Sequence, residues 1–265
     1  MKWTFGIITS GNSHQSIFNI HRSILMQGID DDYEIIVVGG QPIDIEGVSH
    51  FEFDESIKPG WITKKKNIIA QNASFENICM LHDYVYLLEG WYENFCEFGS
   101  NWDVCMNSIV NMDGQRFRDW VTGTRFCQEK DIVFLDYDDH SRTSQMYVSG
   151  TYFCVKRDFL IENPIDEELA WGQGEDVEWS ERILHLGNCN YKCNPNSKVS
   201  LMKLKPNIHW YKPLNKRARE KWGRENGIIS EDYTGKNMRQ LKDILRFRGL
   251  PVSGRKSELI SRLQS

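Results

Sequence analysis

The chain has 265 residues, of which 40% are hydrophobic and 26% are charged, and its formal net charge is −5. This length allows one large domain and a small appendage, and the hydrophobic fraction supplies a core without disulfide bonds. No stretch approaches the ~20 apolar residues that a membrane span needs, and the first residues lack the pattern of a signal peptide. We therefore expect a soluble protein that stays inside the cell.

The charge is unevenly distributed along the chain. From Lys203 to Ser265 there are 16 Lys and Arg residues against 6 Asp and Glu residues, whereas residues 1–202 hold 16 and 31. An acidic body followed by a basic region indicates that the last quarter of the chain meets a polyanion. A solvated helical surface is the alternative explanation.

The first forty residues have the pattern of a strand, a helix and a second strand. Apolar, β-branched runs at 3–9 and 34–38 have the length of strands. Between them, apolar residues recur at helical spacing from Ile17 to Leu25, and Gly28 is the expected helix end. Such a βαβ unit implies a parallel sheet covered by helices, with ligands at the carboxyl ends of the strands.

Further elements follow the βαβ unit. The sequence predicts a short strand at 50–53, a helix at about 61–73 and a buried strand at 77–82. Residues 102–160 are rich in short strands, and 176–187 have the pattern of an amphipathic helix closed by a glycine. The expected fold class is α/β, with a mainly parallel sheet flanked by helices.

The run WITKKKNIIAQNASFENICMLHDYVYLLEGWYENF, from Trp61 to Phe95, contains a basic helix, a buried strand, a short acidic motif and a Gly-Trp segment. It resembles the central stretch of family-2-type GT-A glycosyltransferases. TFGIITSGN and EIIVVGGQ are similar to the first two strands of that family, and GQGEDVEWSERI is similar to its glycine-rich acceptor loop. The resemblance covers residues 3–212. It implies a Rossmann-like GT-A fold and transfer of a sugar from a nucleotide-sugar, with UDP-sugars preferred.

The resemblance also implies a divalent cation, Mn²⁺ or Mg²⁺, which neutralises the diphosphate leaving group. Asp83, after the strand at 77–82, offers a hard oxygen ligand. Family members have two or three acids here, whereas this chain has His82-Asp83-Tyr84 and retains one carboxylate. His209, in PNIHWYKP, is the candidate second ligand. A turn cap at Asp83 and a structural role for His209 are the alternatives.

The nucleotide is expected near the ends of the first strands. The Lys-Lys-Lys-Asn sequence at 64–67 is a candidate for binding the diphosphate or an acidic partner, with a solvated helix start as the alternative. The family analogy favours Lys66 and Asn67 as the residues that face the nucleotide. Glycines permit close approach of the backbone to a ligand. The other expected contacts of the nucleotide-sugar are Thr9, Ser10, Gly39, Gly40, Asp54 and Asp83.

The pair Glu175-Asp176 follows WGQG at the start of a predicted helix and is the candidate for acid–base catalysis. Inverting transfer needs one carboxylate that deprotonates the acceptor hydroxyl, and a helix start favours the ionised form. We assign Asp176 as the base and Glu175 as a ligand of sugar hydroxyls, with N-capping as the alternative. The expected acceptor-binding residues are Trp171, Gly172, Gln173 and Tyr152.

Residues 236–265 have a helical pattern of their own, with leucines and isoleucines at helical spacing on both sides of a GLP turn and a Gly-Arg-Lys sequence. They resemble the SAP motif, a short helix–extended–helix unit associated with DNA binding. Docking of a protein is the alternative. The residues expected to contact DNA phosphates are Arg246, Arg248, Arg255, Lys256 and Arg262.

These patterns divide the chain into a GT-A domain at 1–212, a basic helical linker at 213–235 and a SAP-like module at 236–265. Together the two resemblances predict a cytoplasmic glycosyltransferase that acts on DNA, in the host cytoplasm or nucleus if the protein is viral. Unmodified bases lack a suitable hydroxyl group. The expected acceptor is therefore a hydroxymethylated pyrimidine, such as 5-hydroxymethylcytosine or 5-hydroxymethyluracil, that leaves the base stack.

Two other functions are compatible with the sequence. The chain can be a glycan or protein glycosyltransferase that uses its tail for docking. It can also be a degenerate GT-A domain that serves as a DNA-binding or scaffold protein, since few acids remain around Asp83.

Overall fold

The fold is a mixed α/β sheet flanked by helices, followed by a pair of C-terminal helices. It was obtained as a computed structural model. The structure describes residues 1–11, 14–30, 32–122, 133–143, 146–185, 189–205, 233–247 and 250–264.

The N-terminal part of the chain forms the parallel half of the sheet. Its elements are β1 (Trp3–Ile8), α1 (His14–Leu25), β2 (Tyr33–Val38), β3 (Val48–Phe51), α2 (Ile62–Asn72) and β4 (Asn77–His82). β1 pairs in parallel with β2 and β4, and β3 pairs in parallel with β2. The carboxyl ends of these strands therefore meet at one edge, as the βαβ pattern predicted. β3 begins two residues before the predicted 50–53 because its register with β2 places Val48 opposite Ile35.

The rest of the body makes the sheet mixed. Its elements are β5 (Val85–Leu87), α3 (Trp91–Phe98), β6 (Val104–Val110), β7 (Arg116–Phe117), β8 (Val121–Thr122), β9 (Val133–Phe134), β10 (Met146–Tyr147), β11 (Tyr152–Lys156), α4 (Arg157–Glu162), α5 (Glu175–His185) and β12 (Tyr191–Leu201). β11 is antiparallel to both β4 and β6, and β12 runs parallel to β6. The order of the main sheet is β3-β2-β1-β4-β11-β6-β12-β5, while β7 pairs with β6, and β10-β8-β9 form a small second sheet.

A cluster of aromatic side chains holds β1 in place. Trp3 packs edge-on against Trp91 and Phe95, with ring centroids 4.8 Å apart in each case, and it stacks on Trp102 at 6.0 Å. All four side chains are buried, and burial of such a side chain stabilises a fold by about 1.5–3 kcal/mol. The cluster thereby fixes the strand that leads to Thr9.

The C-terminal helices form a small core of their own. They are α6 (Met238–Phe247) and α7 (Lys256–Gln264). The buried side chains of this core are Tyr233, Leu241, Ile244, Leu245, Leu259 and Leu263. The predicted helix–extended–helix arrangement is present, because the leucines and isoleucines at helical spacing face each other across the turn.

None of the helices that the structure describes combines the length and the apolar composition needed to cross a bilayer.

Candidate active site

Two cavities meet at the carboxyl ends of β1 and β4. The first, here called the strand-end cavity, has a volume of about 310 Å³ and includes Thr9 and Asp83 in its lining. The second, the carboxylate cavity, has a volume of about 150 Å³ and includes Glu175 and Asp176. The side chains that line both cavities are His82, Tyr84, Trp171 and Lys205. The larger volume lies at the lower end of the range of about 300–1,000 Å³ that is usual for small-molecule sites.

Asp83 is tied to the end of β1. Its backbone N–H donates to the carbonyl of Ile8 at 3.2 Å, and the Thr9 hydroxyl donates to Asp83 Oδ2 at 2.7 Å. The same hydroxyl accepts the N–H of Gly11 at 2.9 Å. The predicted neighbours Thr9 and Asp83 are therefore in direct contact at the strand ends, and Ser10 lines the same cavity.

The donors around Asp83 do not fit a divalent cation. In the described part of the chain, no group of three His, Cys, Asp or Glu side chains is placed to hold one ion. Lys65, Lys203 and Lys205 line the cavity that contains Asp83, and Glu55 forms an ion pair with Lys65. A divalent cation prefers several oxygen ligands, whereas among the described residues it would meet the Asp83 carboxylate, the His82 ring and several ammonium groups. His209, the predicted second ligand, lies outside the described residues.

Two neighbouring lysines of α2 have different surroundings. Lys65 lines the strand-end cavity and donates to the carbonyl of Thr9 at 2.7 Å. Lys66 is buried instead, and its Nζ donates to the carbonyl of Gly150 at 2.9 Å above the ring of Phe153. Burial lowers the pKa of Lys66, and the charges of the Glu175-Asp176 pair oppose this effect. Successive side chains of a helix point about 100° apart. Lys65 therefore reaches the cavity, whereas the prediction named Lys66, the next residue.

Asn67 joins α2 to the loop that follows α4. Its Nδ2 donates to the carbonyl of Ile165 at 2.8 Å, and its Oδ1 accepts the N–H of the same residue at 3.1 Å. Its Nδ2 also donates to Glu167 Oε1 at 3.0 Å. The structure therefore places Asn67 in a buried structural position and does not bring it to the cleft.

Two glycines after β2 allow the loop that follows β2 to contact the loop that follows β1. Gly39 and Gly40 have φ of 96° and 75°, in the left-handed region. A Cβ on Gly39 would lie 2.3 Å from the Thr9 carbonyl oxygen, and one on Gly40 would lie 2.6 Å from the Cα of Gly11. Asp54 is exposed and accepts the hydroxyl and the N–H of Ser56, which lower the pKa of the Asp54 carboxyl. It caps a turn there.

The Glu175-Asp176 pair begins α5, one residue earlier than the predicted helix at 176–187. Asp176 Oδ2 accepts the N–H of Gly150 at 2.9 Å, and its Oδ1 accepts the N–H of Val177 at 2.9 Å. These bonds fix the orientation of the Asp176 carboxylate. A Cβ on Gly150 would lie 2.8 Å from Asp176 Oδ2 and 3.0 Å from Glu175 Oε1, so this close approach requires glycine.

Glu175 is only 5% exposed. Burial and the adjacent charge of Asp176 together raise the pKa of its carboxyl to about 7, against the opposing effect of the buried Lys66 ammonium. A carboxyl with this pKa exists in both protonation states near neutral pH. Such perturbed groups inside a cleft are typical of catalytic sites.

The predicted acceptor residues are divided between the cleft and the interior. Trp171 is 66% exposed and lines both cavities, while Gly172 lines the carboxylate cavity. Gln173 stabilises the loop, because its side-chain oxygen accepts the N–H of Ala170 at 2.8 Å. Tyr152 is fully buried. The structure therefore does not bring it to either cavity.

Hydrogen bonds account for the buried position of Tyr152. Its hydroxyl donates to Asn107 Oδ1 at 2.8 Å and accepts from Trp91 Nε1 at 2.9 Å. A buried hydroxyl with two partners is a stable arrangement of the core.

Lys205 is the main residue that sequence reasoning missed. Its Nζ donates to the Tyr84 hydroxyl at 2.9 Å and to Thr151 Oγ1 at 2.8 Å. Burial lowers the pKa of Lys205 to about 8, and the nearby charge of Lys203 contributes to this shift. Burial and the neighbouring lysines also hold the pKa of His82 well below its usual value. Lys203 and Lys205 directly follow β12. Their position at the cleft could therefore have been predicted only if that strand had been recognised in the sequence.

Arg118 and Tyr147 were also missed, and both line the carboxylate cavity. Arg118 Nε and Nη2 and the Tyr147 hydroxyl are buried and have no hydrogen-bond partner among the residues that the structure describes. A buried polar atom without a partner costs about 1–3 kcal/mol. Such atoms are often compensated by a bound ligand or water.

Comparison with solved structures decides the fold. GalNAc-T7, solved with UDP, GalNAc and Mn²⁺, superposes with a TM-score of 0.62 at 15% identity, over 98% of this chain and 53% of that one. Residues 1–349 of S. aureus TarS superpose with a TM-score of 0.53 at 16% identity, over 93% of this chain and 70% of that one. The chain has the GT-A fold.

The GT-A fold agrees with the sequence resemblance, and this chain spans about half the length of the GalNAc-T7 chain. Residues 232–265 match the SAP domain family, which confirms the second resemblance. No match was found among curated proteins.

Two of the SAP-domain residues that were predicted to contact DNA form hydrogen bonds within the domain. Lys256 Nζ donates to the carbonyl of Thr234 at 3.0 Å, and Arg262 Nη1 donates to the carbonyls of Pro251 and Ser253. The bonds of Arg262 hold the extended segment between the helices, and the bond of Lys256 joins the start of α7 to the residues before α6. Both side chains remain at least partly exposed.

Arg255 occupies the start of α7 and is exposed. Its backbone N–H donates to Glu258 Oε2 at 2.8 Å, which caps the helix. Gly254 has φ of 125°, and a Cβ there would collide with the Glu258 carboxylate. The side chains of Arg246 and Arg248 lie outside the described part of the chain.

Proposed function

We propose that this chain is an inverting glycosyltransferase that moves a sugar from a UDP-sugar to a hydroxymethylated pyrimidine in DNA. The observation that carries the proposal is the meeting of the two cavities beside the carboxylates of Asp176 and the buried Glu175. The GT-A fold supports nucleotide-sugar chemistry, and the C-terminal SAP domain supports a nucleic-acid partner. GalNAc-T7 contained UDP in its structure, which favours a UDP-sugar donor.

In this proposal the donor occupies the strand-end cavity. Thr9, Ser10 and Asp83 contact the nucleoside, because they lie at the carboxyl ends of parallel strands where such folds bind nucleotides. Gly39 and Gly40 act by allowing the loops to pack closely. Trp171 lines both cavities and offers an aromatic face to the sugar or to the acceptor base.

The acceptor hydroxyl enters the carboxylate cavity. Asp176 removes its proton, the oxygen attacks the anomeric carbon, and the bond from that carbon to the diphosphate oxygen breaks so that UDP leaves. Backbone N–H groups orient the Asp176 carboxylate for this role. Glu175, with its raised pKa, hydrogen-bonds a hydroxyl of the donor or acceptor.

The acceptor proposal also uses the unpartnered groups of the carboxylate cavity. Arg118 and Tyr147 have buried donors without partners among the described residues, and a base that leaves the stack offers carbonyl oxygens to such donors. Phe117 and Trp171 line the same cavity and offer apolar surface to the base.

The divalent cation that the resemblance implies is not part of this proposal, because the described donors around Asp83 do not fit one. Asp83 is its candidate ligand within the described residues, and His209 stays a prediction. Location in the cytoplasm also stays a prediction.

The test is a nucleoside analysis by mass spectrometry. Duplex DNA containing 5-hydroxymethylcytosine or 5-hydroxymethyluracil is incubated with the protein and a panel of UDP-sugars, with unmodified DNA and oligosaccharides as parallel acceptors. We expect a hexose added to a hydroxymethylated base, and a rate of transfer about 10³-fold lower with Asp176→Asn. Transfer to oligosaccharides alone would support the glycan-transferase alternative. Binding of DNA without any transfer or UDP-sugar binding would support a non-catalytic protein.

Removal of residues 236–265 tests the tail separately. We expect this truncation to weaken transfer to duplex DNA more than hydrolysis of the donor. Equal loss of both activities, or loss of neither, would contradict a role of the SAP domain in acceptor binding.

A further inference from the structure

We propose that Lys205, with Lys203, neutralises the diphosphate leaving group in the place where a divalent cation would otherwise act. This inference rests on the proposed function, since it assigns the groups that hold the diphosphate of the donor. It follows from the position, the anchoring and the charge of these two lysines.

The position of Lys205 is at the junction of the two cavities. It lines the strand-end cavity together with Asp83, and it lines the carboxylate cavity together with Asp176. In a bound nucleotide-sugar, the diphosphate joins the nucleoside to the sugar carbon that is attacked. A cation between the two cavities therefore faces the group on which negative charge develops as the sugar leaves.

Lys205 is anchored before any ligand binds. Its backbone N–H donates to Asn111 Oδ1 at 3.0 Å, and its carbonyl accepts from Asn111 Nδ2 at 2.6 Å. Its Nζ has two neutral oxygen partners, on Tyr84 and Thr151. An ammonium has three donors, so one N–H is left for a ligand after these two bonds.

Two further cations, Lys203 and Arg118, lie near Lys205, and the carboxylates of Glu175 and Asp176 partly offset their charge. Lys203 Nζ lies 3.6 Å from the centroid of the Tyr84 ring, and Lys205 Nζ lies 5.0 Å from the same centroid. Arg118 is a further cation on the carboxylate-cavity side. Within the described residues, neither lysine forms an ion pair with a carboxylate. Two ammonium groups beside one aromatic ring repel each other, and a bound diphosphate would relieve this repulsion.

The same feature opposes a divalent cation. Tyr84 stands directly after Asp83, and the side chains packed on its ring are Lys203, Lys205 and His82, none of which supplies a further oxygen ligand. Two ammonium groups carry the same total charge as one divalent cation. They supply it without an ion, and hydrogen bonds to Tyr84 and Thr151 hold the Lys205 ammonium in place.

The inference is tested by calorimetric binding of UDP and UMP to the full chain, in EDTA and in Mn²⁺. We expect the wild-type protein to bind UDP in EDTA with an affinity within about threefold of that in Mn²⁺. Lys205→Gln should weaken UDP binding by about tenfold or more in EDTA and change UMP binding by less than about threefold, because UMP lacks the second phosphate.

Two further variants separate charge from folding. Lys205→Arg keeps the positive charge and should retain most of the UDP affinity. Lys198→Gln removes an exposed lysine of β12 that lines neither cavity, and it should leave both affinities unchanged.

Three results would overturn the inference or its basis. UDP binding in Mn²⁺ but not in EDTA would show that a metal holds the diphosphate, and the proposed transferase function would stand. Equal losses of UDP and UMP affinity in Lys205→Gln would show that Lys205 does not act on the second phosphate. No UDP binding in either condition would contradict the proposed function itself.

Discussion

The cleft and the SAP domain use charge in different ways. In the cleft, Lys66 and Glu175 are buried and Lys205 is partly buried, and hydrogen bonds hold the ammonium groups of both lysines. In the SAP domain, Arg255 and Lys256 are exposed on the start of one short helix. Buried charges interact strongly because the local dielectric is low, whereas exposed charges are screened by water and salt. A single substitution should therefore have a large effect in the cleft and a small one in the tail.

The largest effect is expected at the base. Asp176→Asn should lower the rate of transfer by about 10³-fold, because general base catalysis contributes about 10²–10⁴-fold. DNA affinity, measured by fluorescence anisotropy, should not change. Asp158→Asn, on the exposed first turn of α4, is the matched control and should keep wild-type transfer. Transfer by Asp176→Asn at more than a tenth of the wild-type rate would show that another group is the base.

Glu175→Gln should lower transfer less, by about ten- to a hundredfold, since glutamine keeps a hydrogen-bonding side chain. It should also stabilise the fold at pH 8. The raised pKa of Glu175 means that the folded protein favours the protonated form, so this contribution to stability is present below about pH 4.5 and is lost as the pH rises through about 7. Glutamine stays neutral and avoids that loss.

Urea unfolding at two pH values measures this gain. A pKa rise from 4.5 to about 7 corresponds to an upper limit of about 3 kcal/mol at pH 8 and to little at pH 4. An equal free energy of unfolding for the variant and the wild-type protein at pH 8 would show that the buried, ionised Glu175 does not destabilise the fold.

The pH dependence of UDP binding should be of intermediate size. The lowered pKa of Lys205, about 8, means that its ammonium is charged below that pH and neutral above it. UDP binding favours the charged form, so affinity should fall above about pH 8 by at most tenfold per pH unit. Calorimetry from pH 7 to 10 measures this fall, and Lys205→Arg should shift it to higher pH. An affinity that is flat from pH 7 to 10 would contradict a contact between Lys205 and the diphosphate.

The smallest effect is expected for one exposed charge of the SAP domain. Arg255→Gln should weaken DNA binding by only about two- to fivefold, equally for different sequences, and lower the slope of log affinity against log salt by about one. Anisotropy titrations at several salt concentrations measure both. Ser257→Ala, at an exposed position in the first turn of α7, is the control. A large loss that depends on the DNA sequence would show that Arg255 reads bases.

Much of the site could be predicted where the pattern is local. The predicted strands at 3–9 and 77–82 place Thr9 and Asp83 at strand ends. The structure joins these two side chains by a hydrogen bond of 2.7 Å. Glu175 and Asp176 lie at a helix start, as their sequence context indicates. The SAP helices also follow from spacing alone, because each apolar face is continuous within ten residues.

Contacts between distant segments required the tertiary structure. Lys205 and Tyr84 are 121 residues apart, and they meet because β12 pairs with both β6 and β5. β12 was not predicted, since its polar residues and a proline interrupt the alternation by which strands are recognised.

Orientation within an element was also decided only by packing. Sequence identified the basic stretch of α2, but the neighbours of that helix determine that Lys65 lines the cavity while Lys66 is buried. Tyr152 was expected at the acceptor, yet two hydrogen bonds hold it in the core. The sequence by itself determined the βαβ opening, the helix start at Glu175-Asp176 and the two SAP helices, but not β12. Only the tertiary structure decided which side chains share the cleft, because that depends on strand order and on pairing across the whole sheet.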